Sequence, residues 1–328
     1  MRKGLEKLLA AVSRSFYLTI RVLPPGLRAP VGLAYLLARA SDTVADSASA
    51  PPAARLEALA RMGEALRRPG SVPPDLAPFA PGVPDPAERD LLAAMPALWE
   101  ALAATPEADR EEIARVLEEI LQGQTLDLTR FASGGGPAVR ALATARELDD
   151  YTYRVAGCVG VFWTRICLLH LPGYAPGIAP EALARLGASF GQGLQLVNIL
   201  RDAPDDLAHG RCYLPADELG SLLSEALRTD PAAARPVCDR WMARARERLA
   251  DGLLYVQAIR PWRLRLACLL PWALGVRTVR RMERSRPLES AARVKVPRPE
   301  VRRLLFLGAV GALGNAPLRW AAARVQKP

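Results

Sequence analysis

Eight side chains in this sequence are spaced so that they could do chemistry together. Gln195, Asn198, Asp202 and Asp206 are separated by three, four and four residues, and Tyr35, Arg39, Asp42 and Asp46 by four, three and four. Either spacing puts its four side chains on one face of a helix. Each face then carries two carboxylates one turn apart, with an arginine next to them, Arg39 in one and Arg201 in the other. A polar stripe on a soluble helix ordinarily turns to water. The flanking residues argue against that here, because Leu194, Leu196, Val197, Ile199 and Leu200 cover much of the remaining girth. A helix apolar over most of its circumference sits inside a bundle. Carboxylates held close together and out of water repel each other, so the paired faces need positive charge between them.

Magnesium would supply it, since it takes oxygen ligands from one or two carboxylates and completes its shell with water and substrate phosphate. Two such helices facing each other would hold a small Mg²⁺ cluster in a cleft, with Arg39 and Arg201 as fixed charges for phosphate oxygens. Acidic rims, metal, arginines and an apolar floor suit a substrate with a diphosphate head and a hydrocarbon tail. Metal and arginine would stabilise a departing diphosphate and promote ionisation to an allylic carbocation. Apolar walls would keep water from that cation, and an aromatic face such as Tyr151 would stabilise it.

The elements that must position these groups read as helices. Half of the 328 residues are hydrophobic, alanine, leucine and arginine dominate, and β-branched residues are sparse, which favours helix over strand. The expected helices are a short amphipathic one at the N-terminus, one from Pro30 to about Ser47, and others over 53–68, 87–103, 107–131 and 138–149. A Pro/Gly-rich loop at 69–86 separates the helices over 53–68 and 87–103, and Ser133 to Gly136 forms a connector. An apolar helix follows from Asp150 to Leu169, with Ala156, Gly157 and Gly160 on neighbouring turns. Glycines there mark close approach of another helix or of a ligand. The Asp202 helix comes next, then segments from Pro215 to Leu227, from Pro231 to Ile259 and from Pro261 to Arg281, and a helical tail after about residue 293. No βαβ rhythm or fixed repeat is visible. The expectation is an all-α fold of roughly a dozen helices in one domain spanning 1–328.

The formal charge of +10 calls for an anionic partner. No basic tract interleaved with aromatics occurs, which disfavours nucleic acid and leaves phosphorylated small molecules or an acidic membrane surface. The five cysteines, Cys158, Cys167, Cys212, Cys238 and Cys268, are widely spaced, odd in number and set among apolar residues. They read as reduced core cysteines of a cytoplasmic protein, with no disulfide frame or zinc pattern. Two histidines, His170 and His209, make a His-based metal site or a Ser-His-Asp triad improbable. The N-terminus lacks a signal-peptide cleavage pattern, and no apolar run is long enough for a transmembrane helix. Arg263 to Arg277, apolar in its middle with arginine flanks, reads either as a core wall or as a peripheral bilayer contact.

Several of these stretches, in this order, resemble the squalene/phytoene synthases, the head-to-head trans-prenyltransferases. Ser13-Arg14-Ser15-Phe16 is similar to the family's N-terminal substrate-binding segment, and YLLARASDTVAD (Tyr35 to Asp46) to its first aspartate-rich motif. YTYRVAGCVG (Tyr151 to Gly160) resembles its central helix, and NILRDAPDDLAHGRCYLP its second aspartate-rich motif and flap. The resemblance implies an isoprenoid-synthase-type helical bundle around a central cleft. It implies Asp42, Asp46, Asp202 and Asp206 as Mg²⁺ ligands and catalytic groups, Asp205 as an outer ligand, and Tyr151 as an acid/base or cation-steering residue. Ser13, Arg14, Ser15, Phe16 and Tyr35 would position head groups. Arg39, Arg201, Arg211 and Tyr213 would engage or close over the diphosphate, Gln195 and Asn198 would orient phosphate, metal waters or nicotinamide, and Val155, Ala156, Gly157 and Gly160 would line the chain tunnel. Two departures stand out: Ala45 replaces a commonly acidic residue, and Asp205-Asp206 replaces the usual Glu-Asp pair.

The basic segment Val294-Lys295-Val296-Pro297-Arg298 resembles one that contributes to NADPH binding in squalene synthases. Lys295, Arg298 and Asn198 are therefore expected near that cofactor. There is no Rossmann fingerprint, because Gly187, Gly191 and Gly193 do not follow a strand. The reading that results is a squalene synthase condensing two farnesyl diphosphates through presqualene diphosphate. A sister enzyme making phytoene, dehydrosqualene or hydroxysqualene without reduction is the alternative, and a non-catalytic scaffold of the same fold is a more distant one.

Overall fold

The computed structural model describes residues 3–13, 16–47, 49–68, 70–131, 139–223, 227, 230–285, 288 and 294–327. Arg14, Ser15 and the Ser133–Gly136 connector lie outside the described residues, as does the side chain of Phe16. The chain divides into two compact units, Met1–Ala132 with Arg165–Leu171, and Ser133–Thr164 with Pro172–Pro328.

The first unit is helical: α1 (Lys3–Ser13), α2 (Phe16–Val22), α3 (Pro25–Ala45), α4 (Pro52–Leu66), α5 (Pro86–Ala93), α6 (Met95–Ala103) and α7 (Glu107–Phe131). Helix α3 starts five residues before the expected Pro30. Pro24 holds the entry extended and Pro25 occupies the first turn, where a missing N–H costs nothing, so Pro30 falls inside the helix. Buried α3 residues Leu27, Leu36, Leu37 and Ala40 join Leu91 of α5, Leu98 of α6, and Ile113 and Leu117 of α7 in the core. The helix expected over 87–103 is two, because Pro96 opens α6 instead of continuing α5.

The second unit contains β1 (Arg140–Leu142), α8 (Ala145–Thr152), a π-helical segment (Tyr153–Gly157), the first half of α9 (Cys158–His170), α10 (Pro180–Ala208), β2 (Arg211–Pro215), α11 (Ala216–Leu219), α12 (Arg235–Ala258), α13 (Trp262–Ser285), α14 (Arg298–Ala312) and α15 (Asn315–Val325). Two expectations fail here. The helix placed over 138–149 gives way to β1, which pairs in parallel with β2, Arg140 opposite Arg211 and Ala141 opposite Cys212. Helix α8 then begins at Thr144, whose hydroxyl accepts from the Glu147 N–H while the Glu147 carboxylate accepts from the Ala143 N–H. The expected continuous helix from Asp150 to Leu169 is also interrupted by the π segment, a distortion that recurs at functional sites.

Helix α13 settles the two readings of Arg263 to Arg277. Leu264, Ala267, Cys268, Leu269, Trp272 and Ala273 are buried, and the Trp272 indole donates to the Leu249 carbonyl at 2.8 Å, so this segment is core. All five cysteines are buried, and none is paired in a disulfide among the described residues. Among the described residues no helix is long and apolar enough to cross a membrane.

Candidate active site

In the first unit the acidic face of α3 is not a solvated stripe. Asp42 is part-buried and accepts from the Gln124 amide of α7, while Asp46, at the helix C-cap, is exposed. Gln124 also donates to the Ser41 hydroxyl at 3.1 Å, and its own side-chain carbonyl oxygen is buried with no hydrogen-bond partner among the described residues. Burial pushes the Asp42 carboxyl up to about 6, and the Asp46 charge adds to the effect. The Gln124 hydrogen bond and Arg39 pull the other way. Arg39 itself pairs with Glu88 of α5, which also accepts from the Thr43 hydroxyl at 3.3 Å. The Tyr35 hydroxyl reaches the Val12 carbonyl at 3.4 Å, and the buried Ser13 hydroxyl donates to the Leu9 carbonyl, closing the end of α1.

The raised Asp42 value has a stability consequence whose sign is fixed. The folded state holds a proton up to about pH 6, whereas an unfolded aspartate releases it near pH 3.9. Folding therefore weakens as pH rises through that window, by about 3 kcal/mol at most, and the loss persists above it. In chelator, wild type should lose stability relative to Asp42→Asn between pH 4 and pH 6.5. Thermal melts of the two proteins across that range check this, and parallel curves would show that Asp42 is not held as described.

In the second unit α10 carries the other face. Asp202 is part-buried and bound bidentately by its neighbour Arg201, at 2.9 and 2.7 Å. The Asn198 amide donates to the Gln195 carbonyl oxygen at 3.4 Å, Asp205 is exposed, and Asp206 is part-buried with Arg211 at 3.5 Å. Pro204 lies within this turn and cannot donate to the Leu200 carbonyl. The helix stops at His209, and Gly210 takes a φ of 75°, the left-handed conformation that redirects the chain into β2. Its carbonyl accepts from Arg140 at 2.9 Å, so the start of β2 is tied to β1. That turn brings Tyr213 onto Tyr151, with the two buried rings stacked at 5.0 Å between centroids and 25° between planes.

The glycines of the central helix face another helix. A Cβ on Gly160 would stand 2.0 Å from the Gly187 carbonyl oxygen of α10, and one on Gly157 would meet the Gln192 side chain and the Ala188 carbonyl. Val155 and Ala156 are part-buried. Lys295 and Arg298 are exposed, ahead of and at the start of α14.

Sequence reading missed the partners of these groups. Glu88 and Gln124 lie 49 and 82 residues from Arg39 and Asp42, and only Gln124, polar in an apolar stretch of α7, carried a local hint. In the second unit Arg248 donates to the Gln192 carbonyl oxygen at 2.6 Å and to the Asp149 carboxylate, and Gln192 donates to the Asp149 carbonyl at 3.0 Å. This network joins α8, α10 and α12, yet nothing in sequence distinguishes Arg248 from the surrounding arginines.

The donor set is all oxygen, which suits a hard ion such as Mg²⁺ and not zinc or copper. Among the described residues no group of three or more His, Cys, Asp or Glu converges as a ready-made cage. An ion here would thus need substrate phosphate or water oxygens to complete its shell. On the Asp202 face the ion would share the carboxylate with Arg201, which donates to both of its oxygens.

Comparison with known proteins adds four findings. The family model for squalene/phytoene synthase matches residues 9–300. The chain is 28% identical over 264 residues to a bifunctional lycopene cyclase/phytoene synthase of Aspergillus oryzae, covering 79% of this chain and 42% of that one. It is 27% identical over 285 residues to a squalene synthase of Eremothecium gossypii, covering 84% and 61%. It therefore spans less than two thirds of either relative. A solved structure of TcSQS in complex with the ligand BPH1237 superposes with a TM-score of 0.76 at 22% identity, over 98% of this chain and 90% of that one, which establishes the all-α fold.

Proposed function

The chain belongs to the squalene/phytoene synthase family, and from that premise we propose that it is a squalene synthase. It would join two farnesyl diphosphates head to head through presqualene diphosphate and then reduce the product with NADPH. The observation that carries the reading lies in the second unit. The turn at Gly210 brings the second aspartate motif, the flap and the central helix together, with Arg211 on Asp206 and Tyr213 on Tyr151. Residues scattered over sixty positions of sequence thus combine carboxylates, an arginine and two aromatic faces, the set that ionising a prenyl diphosphate requires.

Asp42 and Asp46, and Asp202 and Asp206 with Asp205 beside them, would hold Mg²⁺, which when bound supplies positive charge to the leaving diphosphate. The raised proton affinity of Asp42 supports this, since a buried carboxylate beside a second one favours a cation at neutral pH. Arg201 and Arg211, already on carboxylates, would move onto phosphate oxygens as these arrive. Arg39 does the same from its Glu88 partner. The stacked Tyr151 and Tyr213 rings offer π faces to an allylic cation, and the Tyr151 hydroxyl would take or return a proton there. Buried leucines on α10 exclude water from the cation. Lys295 and Arg298, both exposed, would meet the phosphates of NADPH, with Asn198 toward the nicotinamide. NADPH when bound supplies hydride.

Incubation with farnesyl diphosphate and Mg²⁺ tests this directly. Squalene should form only when NADPH is present, with presqualene diphosphate or dehydrosqualene accumulating without it. The similarity to a phytoene synthase at 28% identity favours a second reading, a non-reducing sister enzyme. The same hydrocarbon with and without NADPH would select that reading over the first.

A further inference from the structure

Gln124 interrupts the buried stripe of α7 that Leu117, Ile120, Leu121 and Leu128 otherwise make apolar, and it is only 7% exposed. An apolar side chain of the same size would fill that position without polar atoms to satisfy. The amide Nε2 carries two hydrogens, and both are used, one toward the Ser41 hydroxyl at 3.1 Å and one toward Oδ1 of Asp42. The Ser41 hydroxyl gives its own proton to the Ala38 carbonyl at 2.8 Å, so from Gln124 it can only accept. That fixes which end of the amide faces Asp42, because the reversed amide would set its oxygen against an acceptor at both places.

In this orientation Oε1 of Gln124 is buried and has no hydrogen-bond partner among the described residues. A bare buried carbonyl oxygen is costly, so a donor is expected to reach it. The hydroxyls adjoining the pair in sequence are committed elsewhere: Thr43 donates to the Arg39 carbonyl at 2.9 Å and Thr125 to the Leu121 carbonyl at 2.7 Å. Of the two Asp42 carboxylate oxygens, only Oδ1 is hydrogen-bonded among the described residues. A Mg²⁺ ion on that carboxylate would keep several waters. It would do so all the more here, because no group of three or more His, Cys, Asp or Glu converges among the described residues. Waters on a divalent cation are polarised and donate strongly. The Gln124 oxygen, on the same amide that grips Asp42, is an acceptor suited to one of them.

We propose that Gln124 is a positioning residue for the cation at the α3 aspartates: its Nε2 aims Asp42, and its Oε1 accepts from a water of the Mg²⁺ shell. This rests on the reading of that face as a Mg²⁺ site. The test is thermal melting of the full chain over a Mg²⁺ titration with farnesyl thiolodiphosphate, an analogue whose sulfur bridge ionises slowly. Wild type, Gln124→Met and Gln124→Glu are compared. Gln124→Met keeps the bulk and loses both hydrogen-bonding roles. It should melt no lower than wild type in chelator, yet need roughly ten- to a hundredfold more Mg²⁺ for half of the full stabilisation. Gln124→Glu keeps an acceptor but sets a second carboxylate against Asp42, so it should melt lower in chelator and gain more from Mg²⁺ than wild type does. With farnesyl diphosphate, saturating Mg²⁺ should bring kcat of Gln124→Met back close to wild type, since Gln124 touches no reacting atom. Equal Mg²⁺ midpoints for wild type and Gln124→Met would overturn the proposal and leave Gln124 a packing residue. Should Gln124→Met not fold, Gln124→Glu decides, and a Mg²⁺ gain no larger than that of wild type overturns it. A wild type whose melting ignores Mg²⁺ in the presence of the analogue would overturn the Mg²⁺ reading itself, and the proposal with it.

Discussion

Asp42→Asn and Asp202→Asn should each lower kcat for farnesyl diphosphate by roughly 10²–10³-fold, about 2.7–4 kcal/mol of lost stabilisation of the leaving diphosphate. The amide keeps the shape of the side chain but cannot contribute a full negative charge to a cation. At Asp42 it also relieves the repulsion with Asp46 and the cost of burial. A folding defect therefore cannot explain lost activity there, because the variant should melt at a higher temperature than wild type in chelator at neutral pH. At Asp202 the substitution frees Arg201 from its bidentate partner, and the loss should show in kcat more than in KM. Raising Mg²⁺ should recover part of the activity in both variants. Asp205→Asn should cost less than about tenfold, as expected for an exposed carboxylate acting through water. Normal turnover by Asp42→Asn and Asp202→Asn with Mg²⁺ would remove both aspartate faces from the mechanism.

The second large effect is on stability. Gly160→Ala should destabilise the second unit by roughly 3 kcal/mol or more, beyond the usual cost of an added methyl, because its Cβ meets backbone. The nearest atoms would be the Gly187 carbonyl oxygen at 2.0 Å and its carbon at 2.4 Å, neither able to rotate aside. Gly191→Ala, with the Ala156 oxygen at 2.3 Å, should behave alike. Gly4→Ala in α1, where no atom of the described residues lies within 4 Å of the added Cβ, is the control and should be neutral or slightly stabilising. Calorimetric melts compare the three. If Gly160→Ala melts with wild type, α9 and α10 do not approach as described. Lowered turnover with unchanged melting would instead favour the tunnel-lining role that the resemblance implies for Gly160.

The aspartate faces were legible because they depend on residue type and helical period alone. Asp42 and Asp46, like Asp202 and Asp206, lie four apart on helices whose apolar residues announce burial. The all-α class was legible for the same reason, as was the burial of the cysteines. Helix ends were less so: Pro25 displaced the expected start at Pro30, and Pro96 split one helix into two. Strands β1 and β2 were missed because a three-residue and a five-residue strand have too little period to read, and each exists only through the other. The Thr144–Glu147 capping pair did mark the start of α8 and was available in the sequence.

By itself, then, the sequence determined which carboxylates share a face, that their helices are largely buried, and that the net charge calls for an anionic partner. These are local properties, set by side-chain chemistry repeated along one chain direction. Tertiary structure alone decided what each group touches. Gln124 and Glu88 reach Asp42 and Arg39 from distant helices, Arg201 occupies Asp202, and α10 fills the space beside Gly160. It also decided that Arg263 to Arg277 is core while Phe306, Leu313 and Trp320 stand in solvent. Periodicity shows that a helix has an apolar side, but which side is covered depends on how many neighbours pack around it. That is a property of the assembled fold and not of any one segment.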